Sequence, residues 1–230
     1  MIQLISQLLK NRQETIDRIL NRGSSHFETL MLLGLSLALY AVFGFLIGAS
    51  QSILQAFSSA IKLPVLFFLT SSICFPTLYF FLSFLGARQD IRQLFSFIVL
   101  CNAFIAMVLA AFAPVSFFFL ITSYDYNVYK FVNTLIFSVA GATGIYLFYR
   151  EMKKIIRNID PEDFSAKRFK GLVFLRLWAI MFAFIGLQLS FTLSPFFGLP
   201  HADFMFFTHE DTNFFSDIIN TIISICNHHK

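Results

Sequence analysis

Asn102, Asn133, Gln188 and Arg176 stand inside long apolar stretches of this 230-residue chain, where polar groups are scarce. A polar side chain in an apolar surround is costly unless it is hydrogen-bonded, paired or engaged by a ligand. Asn102 and Gln188 fit two chemistries: hydrogen bonds between packed helices, or polar contacts along a path for a small solute or lipid. Arg176 lies about one helical turn inside its stretch. Its guanidinium either snorkels to the headgroups or holds a lipid phosphate or another anion.

The remaining chemistry-bearing residues lie outside the apolar stretches. His201, Asp203, His209, Glu210 and Asp211 cluster near the C-terminus, but their spacing matches no strong zinc pattern, and His228-His229 reads as solvated. His26 stands just before the first stretch and no histidine lies inside one, so ligation of haem or chlorophyll is not expected. Cys74 and Cys101 fall inside stretches and Cys226 near the end, without the paired spacing of a disulfide framework or metal site. The stretches hold no Asp or Glu, Glu28 standing just outside the first, which argues against proton-driven transport. Nucleophile-elbow, metalloprotease and phosphate-cradling signatures are missing. The expectation is a protein that is not an enzyme, with no catalytic residue, cofactor or metal.

The elements that must position these residues are five apolar runs at about residues 30–52, 61–84, 93–112, 129–149 and 172–194, each near the ~20 residues that cross a bilayer as helix. Composition agrees: 57% hydrophobic and 13% charged residues and a mean hydropathy of +0.72, against about 25% charged residues in soluble domains. The first run follows Lys10, Arg12, Glu14, Asp17, Arg18 and Arg22, so it reads as a retained span rather than a cleaved signal. Orientation follows Lys and Arg near span ends. Lys10, Arg12, Arg18, Arg22, Arg88, Arg92, Arg150, Lys153, Lys154, Arg157, Lys167, Arg168, Lys170 and Arg176 share one face, leaving Lys62, Lys130 and Lys230 on the other. That division predicts a cytoplasmic N-terminus and an outside C-terminus in a bacterial cytoplasmic membrane. The net charge of +4 is explained by these juxtamembrane groups facing anionic lipid, so no nucleic-acid partner is expected.

Three segments follow: a cytoplasmic amphipathic segment (1–29), a five-span membrane domain (30–194) and an extracytoplasmic tail (195–230). In the first, Ile5, Leu8, Leu9, Ile16, Ile19 and Leu20 form a stripe of the kind that lies in the membrane interface, which either packs on the cytoplasmic ends of the bundle or docks a partner. Gly44 and Gly48 form a GxxxG, and small residues recur at Ala106 and Ala110 and at Ala140 and Gly144. These permit close helix approach, within one bundle or between two copies. Lys62 and Pro64 read as the opening of the second span, with Pro64 in its first turn. Pro76 reads as a kink or hinge whose freed backbone is served by Thr70, Ser71 and Ser72. Pro114 reads as the break that ends the third span and leaves an outer bent segment, with Tyr124, Tyr126 and Tyr129 as an aromatic belt. The basic loop from Arg150 to Lys170 faces anionic lipid or an acidic partner. In the tail, Phe214, Phe215, Ile218 and Ile222 fall on one helical face, suited to the outer leaflet or to a partner.

The stretch from Lys62 through Pro64 to Thr70, continued by Pro76 to Tyr79 and by Arg92-Gln93-Leu94, resembles the Yip-type family of five-span membrane proteins in its bacterial form. Gly186-Leu187-Gln188 and Ser194-Pro195-Phe196-Phe197-Gly198-Leu199-Pro200, with Phe204 and Asn213-Phe214-Phe215, look like an uncharacterised branch of it. Ser194 stands where that branch carries an Arg. The resemblance implies no catalytic residues; its eukaryotic members act in vesicle trafficking by binding small GTPases. The sequence thus reads as an all-α integral membrane protein, a bundle of five transmembrane helices with amphipathic interfacial helices at both ends. The expected function is a noncatalytic scaffold or accessory subunit, with a small-solute or lipid channel or transporter as the alternative. Its expected partners are membrane lipids and other membrane-protein subunits or a second copy.

Overall fold

The computed structural model describes residues 10, 12–22, 24–86, 89–122, 126–158, 166–194 and 196. Apolar sequence dictates what they form: with no water to satisfy backbone N–H and C=O groups, the chain must satisfy them within helices. The described residues form six helices and no strand: α1 (Arg12–Arg22), α2 (His26–Gly48), α3 (Ile53–Phe84), α4 (Ile91–Thr122), α5 (Tyr126–Asn158) and α6 (Ala166–Thr192). Helices α2 to α6 are long and apolar enough to cross a membrane.

Local chemistry sets the joints. Ser25 donates its N–H to the Glu28 carboxylate at 3.4 Å, and Glu28 also accepts from Arg18 at 2.8 Å, fixing how α1 meets α2. Ser52 caps α3 by accepting from the Gln55 N–H at 3.2 Å. Beyond α3 the chain turns at Gly86, whose φ of 82° is one that a side chain would disfavour.

The long helices close a ring in which α2 packs on α3 and α4, α4 on α5, and α6 bridges α5 back to α3; α3 also meets α4. Two apolar cores fill it. One joins Ile16, Ile19 and Leu20 of α1 with Leu78, Phe97, Met152 and Trp178. The other joins Tyr40, Phe43, Leu63, Leu66, Ile136 and Phe196. Helix α1 therefore packs Ile16, Ile19 and Leu20 on the bundle, one of the placements its pattern allowed, while Ile5, Leu8 and Leu9 lie outside the described residues.

Several expectations are corrected. Helix α3 begins at Ile53, so Pro64 lies well inside it rather than in its first turn, and Lys62 is buried inside the helix rather than at its opening. Helix α4 runs unbroken through Pro114 to Thr122. The physical reason is common to both prolines: an interior proline forfeits one backbone hydrogen bond, whereas breaking the helix in an apolar surround strands several. Pro76 lies on the exposed side of a continuous α3. Thr70 and Ser71 donate to the carbonyls of Leu66 and Phe67, at 2.7 and 2.8 Å, not to a carbonyl freed at Pro76. Tyr129 is buried and donates to the Leu46 carbonyl at 3.3 Å, so it is no part of a boundary belt. The tail residues Phe214, Phe215, Ile218 and Ile222 lie outside the described residues.

Candidate functional site

The most polar point in the middle of the bundle is built from three helices. Asn102 of α4 donates from Nδ2 to the Ser71 hydroxyl of α3 at 2.9 Å and to the Ile98 carbonyl of its own helix at 3.0 Å. Tyr40 of α2 donates its hydroxyl to the Asn102 main-chain carbonyl at 3.0 Å and lies 3.4 Å from Oδ1. Tyr40 is held there by stacking on Phe67, with ring centroids 4.5 Å apart and planes 6° from parallel. Asn102 is thus an interhelical clamp, the first of the two chemistries its position allowed.

A cavity of about 30 Å³ lies beside it, lined by Asn102, Ser71, Gly144, Phe148, Trp178 and Phe182 among others. Trp178 is fixed by donating Nε1 to the Cys74 carbonyl at 3.1 Å and by stacking on Phe148 at 4.5 Å. The space is that of about two water molecules. Gln188 is not among the lining residues; it stands ten residues beyond Trp178 on α6, roughly 15 Å along the axis. Asn102 and Gln188 therefore do not converge on this cavity. Arg176 is exposed on α6, its Nε 3.4 Å from the Tyr149 hydroxyl.

The small residues explain how the helices come this close. A Cβ added at Gly44 would fall on the Ser59 carbonyl, and one at Gly48 on the Gln55 carbonyl, so the GxxxG seats α2 directly against the α3 backbone. A Cβ at Gly144 would strike the Ile105 side chain. Ala106 and Ala140 are fully buried in the same core, with Ala110 partly so. These positions pack within one bundle.

One polar grouping escaped the sequence reading, and a second joins Asn133, already singled out by its sequence setting, to a partner that was not. Toward the bundle end that α1 covers, Glu151 is 1% exposed and is held by Arg150 at 2.6 Å and Lys154 at 2.7 Å. Gln13 of α1 joins it, accepting from Arg150 at 2.9 Å and donating to Glu151 at 3.4 Å. Among four basic neighbours in sequence, one acid was easily passed over. Toward the other end, Ser116 donates to Asn133 at 2.6 Å, and Ser59 donates to the Phe196 carbonyl at 2.8 Å. Lys62 lies in that half at 1% exposure.

Among the described residues no group of three or more His, Cys, Asp or Glu is placed to hold a metal, and the cluster from His201 to Asp211 lies outside them. Cys74 and Cys101 are buried thiols. Fold and site define a class: an all-helical, multi-pass membrane protein whose intramembrane polar groups bond across helices. Compared with known proteins, the chain matches no family model, no curated protein and no solved structure.

Proposed function

We propose that this chain is a noncatalytic membrane protein, a scaffold or accessory subunit that uses α6 to hold a second, different membrane protein. One observation carries the reading. The apolar window of α6 is 11% buried, against 28–39% for the other four spans. Its exposed residues Val173, Leu177, Ile180, Phe184 and Leu187 advance in alternating steps of four and three, the spacing of a helix-packing seam. Meanwhile Asn102, Ser71, Ser116 and Asn133 already bond across helices, and the cavity beside Asn102 is small. These features favour packing over a solute path. The Yip-type resemblance from Lys62 to Tyr79 accords with a role without catalysis.

The test places a photocrosslinking residue at Ile180 or Phe184 in native membranes, with Val42, an exposed residue of α2, as the lipid-facing control. The expected result is one discrete heteromeric adduct from α6 and none from Val42, with the same partner co-purifying stoichiometrically in mild detergent. Lipid adducts alone at all three positions would overturn the reading, and a homodimeric adduct would replace the partner by a second copy.

A further inference from the structure

At the α1 end of the bundle, the edge between α5 and α6 brings two cations to one phenol. On α5, Tyr149 and Lys153 are four residues apart and share a face, and the Lys153 ammonium stands 6.0 Å from the centroid of the Tyr149 ring. From α6, Arg176 reaches the same side chain, donating from Nε to the Tyr149 hydroxyl at 3.4 Å. Both contacts are long for their kind, so the phenol holds neither charge tightly. No described Asp or Glu forms an ion pair with Arg176 or Lys153. Glu151, the acid nearest in sequence, lies two residues from both Tyr149 and Lys153, off their face, and is taken by Arg150 and Lys154. Two like charges thus converge beside apolar surface without a counter-charge, an arrangement that is costly unless an anion completes it.

Depth and donors indicate the ligand. Helix α5 has no charged residue between Lys130 and Arg150, a stretch of roughly 28 Å as helix against ~30 Å of hydrocarbon. Tyr149 therefore stands at the edge of the hydrocarbon, and Arg176, in contact with it, stands at the same level, within reach of the lipid phosphates. The group opens outward: Arg176 is exposed, Tyr149 and Lys153 half-buried. Because the Tyr149 oxygen accepts from Arg176, its own hydrogen remains to be donated. A guanidinium, an ammonium and a phenolic O–H, drawn from two helices, suit a group with several acceptor oxygens and negative charge. We propose that Arg176, Lys153 and Tyr149 form a binding site for one phosphate group at the edge between α5 and α6, supplied by the headgroup of an anionic phospholipid or by free phosphate. The site goes beyond the scaffold reading and needs no protein partner.

Trp178 is the chain's only tryptophan; it lies two residues past Arg176 and stacks on Phe148, the neighbour of Tyr149, so its fluorescence reports lipid at this edge. The full-length protein is reconstituted in vesicles of phosphatidylcholine and phosphatidylglycerol, one or the other carrying brominated chains, and relative affinity is read from quenching. Brominated phosphatidylglycerol should quench preferentially. One Lys or Arg near an anionic surface is worth roughly fivefold in binding, so the preference should fall by about that factor in Arg176→Gln and again in Lys153→Gln, and less in Tyr149→Phe. Arg92→Gln, which removes the same charge from an exposed position on α4 at the same end, should keep it. A free-phosphate site would show instead as saturable stabilisation of the delipidated protein in neutral detergent by inorganic phosphate over chloride at matched ionic strength, lost in Arg176→Gln. Equal quenching by the two lipids together with no phosphate response would overturn the proposal and leave Arg176 to snorkelling or to a carboxylate of the α6 partner. An equal loss in Arg92→Gln would overturn it as well, because the attraction would then belong to the whole basic end rather than to this site.

Discussion

Asn102 sets an amide in the middle of an apolar bundle and leaves neither Nδ2 hydrogen idle, one going to Ser71 and one to the Ile98 carbonyl. Replacing it with Leu orphans little: Tyr40 keeps the main-chain carbonyl at 3.0 Å and Ser71 keeps the Phe67 carbonyl at 2.8 Å. Two lost bonds, each worth about 0.6 kcal/mol inside a membrane, predict that Asn102→Leu costs about 1 kcal/mol. Asn102→Asp should cost clearly more, since it sets an oxygen against the Ile98 carbonyl and the Ser71 hydroxyl can donate to it only by giving up the Phe67 carbonyl. Chemical unfolding in detergent micelles measures both, and equal losses would contradict the clamp. That Asn102 serves a helix contact was legible from its type and setting. Its partners were not, because Ser71 and Tyr40 lie 31 and 62 residues away in sequence. Lys62 was misplaced for a related reason. In a water-soluble chain a lysine beside Gln55, Ser58 and Ser59 marks a loop, whereas in this helix those residues mark the face turned inward.

At the scale of elements, hydropathy alone located all five spans, because a run of that length has few ways to satisfy its backbone other than as helix. Their ends were less legible. Pro64 and Pro114 looked like boundaries, and both lie inside helices that continue at the loss of a single bond. The GxxxG was legible as a close-approach motif but not in its target, the backbone at Gln55 and Ser59. Gly48→Leu should therefore force α2 and α3 apart and cost about 1–3 kcal/mol. Gly34→Ala, with nothing within 4 Å of the added atom, should leave unfolding unchanged; comparable losses would remove the motif's assigned role. Helix α1 depends on a second contact, the Glu151 cluster that ties it through Gln13 to α5. Glu151→Ala should raise amide exchange across α1 about five- to tenfold while the α4 core stays protected. Local opening of this kind is read directly by hydrogen exchange. Uniform exchange changes in both helices would mean that Glu151 supports the bundle rather than the docking of α1.

For the whole molecule, alternation of the spans places the starts of α2, α4 and α6 and the ends of α3 and α5 at one end of the bundle, together with α1. Lys10, Arg18, Arg92, Lys153, Arg157 and Lys170 gather there, whereas the described turn at residues 49–52 carries no charge. Positive residues near span ends are retained on the cytoplasmic side, so the α1 end should face the cytoplasm. The mask of Glu151 over Arg150 and Lys154 does not reverse this, since acids weigh little in the rule and, among the described cations, only the buried Lys62 lies toward the other end. In a chain with Cys226→Ser, leaving only the buried Cys74 and Cys101, single cysteines at Glu14, Ser50 and Asp90 report the arrangement. A membrane-impermeant maleimide should label Ser50→Cys in intact cells, and Glu14→Cys and Asp90→Cys only after permeabilisation. The opposite pattern would invert the protein, while labelling at Glu14 and Asp90 on different sides would break the alternation of the spans itself.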